Sequence, residues 1–181
     1  MTKTAGVEGT SVLATDFRNI LKERGVPEEV LEAGKRFVRD VSVVKEALIL
    51  AEAGLPNSMH DPTEGGVIGR LTEIAYASGT TVRVFRDSIP IAKETWVMRK
   101  ALGADPLRLI SSGVLLATVP KEKAVEAVKL LRSSGVEAAV IGEVHPRGEH
   151  LLEVCGSSSC EFIDDVVVQD ELIRLTAKHL R

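Results

Sequence analysis

The sequence predicts an α/β protein, an α+β sandwich in which a mixed sheet is covered by helices. Three observations lead there. From about residue 58 onward, strand-like and helix-like segments alternate. Thr81-Val82-Arg83-Val84-Phe85 has the period of two of a half-buried strand. Glycines stand where helical patterns stop, as Gly79 and Gly103 do.

Taken in order, Val12-Leu13-Ala14 is a short apolar run after Gly6 and Gly9 and reads as a strand. Phe17 to Arg24 has a helical pattern closed by Gly25. Pro27 suits the first turn of the next helix, with Glu28 and Glu29 at its positive end. Val30, Gly34, Phe37 and Val38 fall on one face of it. A third helix runs from about Ser42 to Ala53 and stops at Gly54 and Pro56. Ser58-Met59-His60 reads as a short strand, followed by a helix to Ser78. Ala92 to Leu102 is helical. Val114 to Val119 is an apolar strand suited to a central place in a sheet. Lys121 to Ser133 is an amphipathic helix turning Val125, Val128 and Leu131 inward. Val136 to Ile141 is a strand, and His150 to Val154 continues after the Pro146-Arg147-Gly148 turn, which predicts hairpin-linked antiparallel strands. Asp170 to Leu180 is a final helix.

Composition narrows the function classes. The 181 residues suit one sizeable core, and 44% hydrophobic with 27% charged residues is ordinary globular composition. A net charge of −3 argues against nucleic acid as the main partner. No apolar run approaches the ~18 residues a membrane span needs, and the first residues carry no secretory signal. Cytoplasm is the expectation. Asn, Gln and Met are scarce, as in heat-adapted proteins. Cys155 and Cys160 follow His145 and His150 at five-residue intervals. Three readings stay open for that series: a zinc site, whose usual ligand spacings it fits poorly, a disulfide, or plain loop ends. No metal site is expected. His179 and the Lys121-Glu122-Lys123 run read as surface groups, and Trp96 as core or interface.

The most informative segment is His60-Asp61-Pro62-Thr63-Glu64-Gly65-Gly66. Asp61 can cap a helix, Pro62 can take its first position, and Glu64 completes a capping-box pattern. The glycines are not explained that way, since each costs up to ~1 kcal/mol relative to Ala in a helix. They imply a backbone that something approaches closely, and a helix N-terminus is a ready anion site. A plain cap and a phosphate-facing loop are both open.

This segment resembles the loop that opens the C-terminal domain of the aminoimidazole-ribonucleotide-synthetase-related superfamily. Selenophosphate synthetase, thiamine-monophosphate kinase and the hydrogenase-maturation HypE proteins belong to it, and the likeness is greatest to HypE and its archaeal-type relatives. It continues through Ala77-Ser78-Gly79, Ile89-Pro90, Ala101-Leu102-Gly103, Asp105-Pro106-Leu107 and Ser112-Gly113. Upstream, Ala5-Gly6-Val7-Glu8-Gly9-Thr10 is similar to the family's interdomain segment, so the likeness covers about residues 5 to 143.

The resemblance implies residues 1–10 as a linker from an N-terminal ATP-binding domain and 11–181 as the substrate-side domain. It implies ATP and Mg bound mainly by that other domain, and phosphorylation of a substrate oxygen in the interdomain cleft. In HypE the chemistry dehydrates a carbamoylated cysteine to a cyano group. On this reading Asp61 and Glu64 orient a substrate N–H or move a proton. His60, Thr63, Gly65, Gly66, Ser111, Ser112 and Gly113 contact substrate or phosphate. The expected partners are the ATP-binding domain, a hydrogenase-maturation protein and, in the full-length form, a second copy. Taken alone, the chain is expected to be inactive. Two departures stand out. The chain ends Thr176-Ala177-Lys178-His179-Leu180-Arg181 without a cysteine, and Ser111-Ser112-Gly113 stands where HypE carries Asn-Glu-Gly. The alternative is a binding or scaffold module that kept the fold without the chemistry.

Overall fold

The computed structural model describes residues 1–179. Its first third is helical: α1 (Val7–Asp16), α2 (Arg18–Glu23), α3 (Glu28–Lys35), a 3-10 turn over Arg36–Asp40 and α4 (Val44–Glu52). There follow β1 (Ser58–His60), α5 (Gly66–Ser78), β2 (Thr80–Phe85), α6 (Lys93–Leu102), β3 (Leu116–Thr118) and α7 (Ala124–Ser133). The chain continues through β4 (Gly142–Pro146), β5 (Leu152–Cys155), β6 (Cys160–Ile163) and α8 (Glu171–His179). No helix among the described residues is long and apolar enough to cross a membrane.

The expected mixed sheet is present, in the order β4-β2-β5-β6. β2 runs antiparallel to β4 and parallel to β5. Its inner face carries Val82, Val84, Leu152, Val154 and Ile163 against Val67, Ile68, Leu71 and Ala75 of α5. A second apolar cluster joins α1, α2, α3, α6 and α8 through Leu13, Phe17, Leu21, Leu31, Met98 and Leu175. Each such side chain contributes about 1.5–3 kcal/mol when fully buried. A third cluster packs α4 on α7 through Leu50, Ala127 and Leu131.

Several expectations are corrected. Val12-Leu13-Ala14 is not a strand but the middle of α1, because Val7, Thr10, Leu13 and Ala14 are buried at helical spacing behind the left-handed Gly6. In α3 the buried face is Leu31 and Gly34; the helix tightens after Lys35, which turns Val38 out to 57% exposure. In α7 Ala127 and Leu131 face inward, and Val125 faces solvent. The 114–119 strand is regular only over Leu116–Thr118 and pairs with β1 alone, as a two-stranded sheet. The strand expected at 136–141 begins only at Gly142. A β-carbon at Gly142 would lie 2.2 Å from the Arg83 carbonyl oxygen, so the tight approach of β4 to β2 admits glycine only. β4 and β5 do not form a hairpin, since β2 lies between them; the hairpin is β5–β6. Of the last expected helix, Leu180 lies outside the described residues.

That hairpin divides the His/Cys series. Cys155 and Cys160 face each other across it and are joined as a disulfide. His150 stacks on Phe162 at 4.5 Å and bonds through Nδ1 to Asp164 Oδ2 at 2.9 Å. His145 lies across β2 in β4, 3.4 Å from Glu143. No group of three or more His, Cys, Asp or Glu able to hold a metal ion occurs among the described residues.

Residues 1–3 are built into the fold rather than trailing from it. The Thr2 N–H donates to Leu115 O at 3.0 Å beside β3, while Thr2 bridges Ala138 on its other side. Lys3, at φ 50°, sends its ammonium to the carbonyls of Asp40 (3.0 Å), Ser42 (2.7 Å) and Gly113 (2.8 Å). It also pairs with the buried Glu46 carboxylate at 2.8 Å.

Two outcomes follow. Lys3→Met leaves Glu46 charged, buried and unpaired, so urea denaturation should show a loss of about 3–5 kcal/mol, largely recovered in the double variant with Glu46→Leu. An unchanged midpoint in the single variant contradicts this account. The Asp164 hydrogen bond, with its field a smaller contribution, raises the His150 pKa, and the same bond lowers that of Asp164. The His150 contribution is therefore fully present below about pH 6.5 and lost as pH rises through its raised folded value. The Asp164 contribution is present above about pH 3.9 and lost as pH falls through its lowered value. NMR titration should place the His150 ring transition above about 6.5, and Asp164→Asn should return it there.

Candidate functional site

The 60–66 segment leaves β1 and enters α5, but not as the capping pattern suggests. The helix begins only at Gly66, and its N-cap is Gly65 in the left-handed region, with no side-chain cap. Asp61 is thus not the helix cap. Its Oδ1 accepts the Gly113 N–H at 3.2 Å, tying the loop to residues 111–113. Pro62 O accepts the Ser111 N–H at 3.0 Å on the same seam.

What approaches the glycines closely is the protein itself. A β-carbon on Gly66 would stand 2.6 Å from the carbonyl oxygens of both Leu107 and Leu109, and one on Gly65 would stand 2.7 Å from Val168 O. Both residues have positive φ, 75° for Gly65 and 61° for Gly66, a region where a side chain is strained. The donors at the head of α5 are also engaged: Gly65 N–H with Asp170 Oδ2 (2.9 Å), Gly66 N–H with Thr63 O (3.0 Å) and Ile68 N–H with Leu107 O (3.1 Å). A carboxylate of the chain sits where an external anion would bind. Burial holds the Asp170 carboxyl above the ordinary range, against the Leu172 and Gly65 N–H groups, which favour its charged form.

Ser111 is fully buried; its hydroxyl accepts the Gly6 N–H at 2.8 Å and donates to Leu109 O at 2.7 Å. Gly113, at φ 99°, packs on the backbone of Asp40 and Val41. Ser112 is half-buried on the rim. Of the nine residues singled out from the sequence, Gly65, Gly66, Ser111 and Gly113 are consumed by packing. His60, Asp61, Thr63, Glu64 and Ser112 keep accessible surface.

Among these Asp61 is electrostatically distinct. Burial raises its pKa above the ordinary carboxylate value; the Gly113 N–H opposes this, the Glu8 field adds to it, and His60 and Lys3 oppose it in turn. Glu64, by contrast, is exposed and its field falls on Asp170, so the two carboxylates act on different neighbours. His60 Nε2 lies 3.2 Å from Glu73 Oε2. Arg70 binds Glu73 and fixes the Thr63 hydroxyl at 2.6 Å, while its buried Nε has no partner. Lys3, Glu8, Arg70, Glu73 and Asp170 were not singled out from the sequence. Only the i,i+3 spacing of Arg70 and Glu73 signalled a pair. An aspartate just before a helix, at position 170, gave a local cap signal but none of its reach to Gly65.

The arrangement holds a half-buried carboxyl, its pKa raised by burial, at a surface rim near a fixed threonine hydroxyl and an imidazole. That suits binding a polar substrate group and moving one proton.

Comparison with known proteins agrees with this architecture. The chain is 32% identical over 130 residues to carbamoyl dehydratase HypE of Azotobacter vinelandii, covering 67% of this chain and 38% of that protein. The crystal structure of E. coli HypE superposes with a TM-score of 0.73 at 24% identity, over 95% of this chain and 50% of that one. A HypE solved in complex with ATP gives a TM-score of 0.60 at 25% identity, over 71% and 40% of the two chains. The chain thus spans about half the length of the solved relative and little more than a third of the curated one. The profile described as "AIR synthase related protein, C-terminal domain" matches residues 1–155, which takes in the whole 60–66 seam and most of the sheet it stands on, and the chain belongs to that family.

Proposed function

We propose that this chain is the C-terminal, substrate-side half of a HypE-like ATP-dependent enzyme, with residues 60–64 and Ser112 facing an ATP-binding half across a cleft. The observation that carries the reading is Asp61: a carboxyl held above its ordinary pKa on a rim that the rest of the fold fixes in place. Perturbed carboxyls on an accessible rim are the groups that serve in proton transfer. The nucleotide and its Mg ion would be held chiefly by the other half, for which no P-loop occurs in these 181 residues. When bound, ATP would supply the phosphoryl group that activates a substrate oxygen. Asp61 would orient the substrate N–H and take its proton, and Thr63, locked by Arg70, would bind beside it. Residues 1–10 would stand next to the junction with the other half, and a hydrogenase-maturation protein and a second copy would be the partners.

One observation favours a second reading, a module that binds without chemistry. Ser111, Gly65 and Gly66 are satisfied internally, and Ser112 supplies no charge at the position where the resemblance implies an acidic side chain.

The purified chain with Mg-ATP should release no phosphate above blank. Mixed with the ATP-binding half of a HypE relative it should gain turnover, which Asp61→Asn lowers by roughly 10². The variant should melt within a few degrees of the parent, because Asn still accepts the Gly113 N–H. The raised Asp61 pKa means that ionising it costs stability as pH rises through that value, and Asp61→Asn should lose this slope. Gly66→Ala should instead melt much lower, through its contact with Leu107 and Leu109. Turnover by the chain alone, abolished in Asp61→Asn, would sink the half-enzyme reading. A mixed complex indifferent to Asp61→Asn would favour the binding module.

A further inference from the structure

A cavity lies away from the 60–66 loop. It holds about 640 Å³, lies between β3 and β4, and is lined by apolar side chains of α5 and α7, among them Leu71, Ile74, Val128 and Leu131. Its two long walls are strand edges. β3 pairs on one side with β1, and β4 on one side with β2, leaving their facing edges without strand partners among the described residues. Leu115 O already points into the gap, where it meets Thr2, so alternation turns the peptide groups of Ala117 and Val119 the same way. On the other wall Ile141 O is used by Phe85 N–H, so alternation turns Gly142 and Val144 toward the gap.

One end of the gap is filled by a strand. Met1 exchanges both backbone hydrogen bonds with Ala139 (2.9 and 3.0 Å), and Lys3 N–H donates to Glu137 O at 2.8 Å. Thr2 runs antiparallel to Ala138 while donating to Leu115 on the β3 side. The walls run parallel, since Leu115 and Ala138 flank Thr2 at one end and Lys121 reaches Glu143 at 3.6 Å toward the other. β3, α7 and β4 are thus a strand–helix–strand unit with one strand's width left open between its strands. A residue in a packed strand occupies about 160 Å³, from a rise of ~3.3 Å, a spacing of ~4.8 Å and a layer of ~10 Å. The cavity therefore takes about four residues.

We infer that this slot receives a single β-strand about four residues long, supplied by the N-terminal half that the longer relatives carry. It runs antiparallel to both walls and ends against Met1, whether that half is joined there or arrives as a separate subunit. Side chains facing α5 and α7 are apolar. The strand merges the two-stranded and four-stranded sheets into one, so the halves associate by strand insertion as well as across the cleft. This does not depend on the chemistry assigned to Asp61.

The test compares the chain with a form carrying Thr-Val-Thr-Val-Thr-Val directly before Met1. In the extended form the amides of Ala117, Val119, Gly142 and Val144 should exchange roughly tenfold more slowly or better, and the melting temperature should rise. The same extension with Pro at each Val lacks the donors and should do neither. Unchanged exchange at those four amides in the Thr-Val form overturns the inference. Protection in the unextended chain that grows with concentration alongside dimer in sedimentation gives the slot to a second copy and also overturns it. Protection by decanoate but not by the extension gives it to a small amphiphile and overturns it as well.

Discussion

The placement of the Asp61 rim depends on one ammonium group. Lys3 accepts a left-handed backbone, which costs a non-glycine residue roughly 1–2 kcal/mol, and its Nζ gathers three carbonyls and the Glu46 carboxylate from three separate stretches of chain. Those contacts hold the 40–42 turn and Gly113 together. Gly113 in turn presents the N–H that holds Asp61. The rim carboxyl is thus placed through two hydrogen bonds from a residue more than fifty positions away, and neighbouring Thr2 stitches β3 to the 137–139 segment. A buried ion pair is weak evidence of stability in itself. Here its value is positional, because one carbonyl it binds belongs to Gly113, whose N–H holds Asp61.

A second lock closes on the loop from the far end of the chain. Asp170 precedes α8 and accepts N–H groups from Leu172 and from Gly65, while the Val168 carbonyl lies against Gly65. Leu175 anchors α8 in the same cluster as Leu13, Phe17 and Leu21. The head of α5 is therefore held between residues 107–109 on one side and 168–170 on the other. The carboxylate of Asp170 complements the positive helix end at short range. The loop before it is left free to offer side chains outward without having to hold its own helix in place.

How much of this was legible in the sequence depends on the range of the interaction. Helices were readable from apolar spacing and from Gly79 and Gly103, both of which take the left-handed cap. β1 and β2 were readable from composition and alternation. The run Val12-Leu13-Ala14 misled because three apolar residues carry no period; the helix shows only when Val7 and Thr10 are included. Sheet order was not legible, since β2 is inserted between β4 and β5 by contacts spanning about seventy residues of chain. At the site, the sequence correctly required a close approach to Gly65 and Gly66, but could not say that Leu107, Leu109 and Val168 make it. Lys3 and Asp170 went unseen for the same reason: their partners lie 37 to 110 residues away.

The disulfide hairpin has a consequence for how the sheet avoids edge-to-edge pairing. A sheet edge invites pairing with any extended chain it meets. At β6 that invitation is withdrawn: the strand is four residues long, Glu161 carries ion pairs to Arg86 and Arg108, and a covalent link to β5 prevents it from slipping or peeling away. A slip of one residue would turn Ile163 outward and Phe162, already 54% exposed, inward. Guarded at β6, and with the free edge of β4 facing β3 across a gap one strand wide, the sheet is polarised: one edge is closed by covalent and ionic contacts, while the other has room for a single strand.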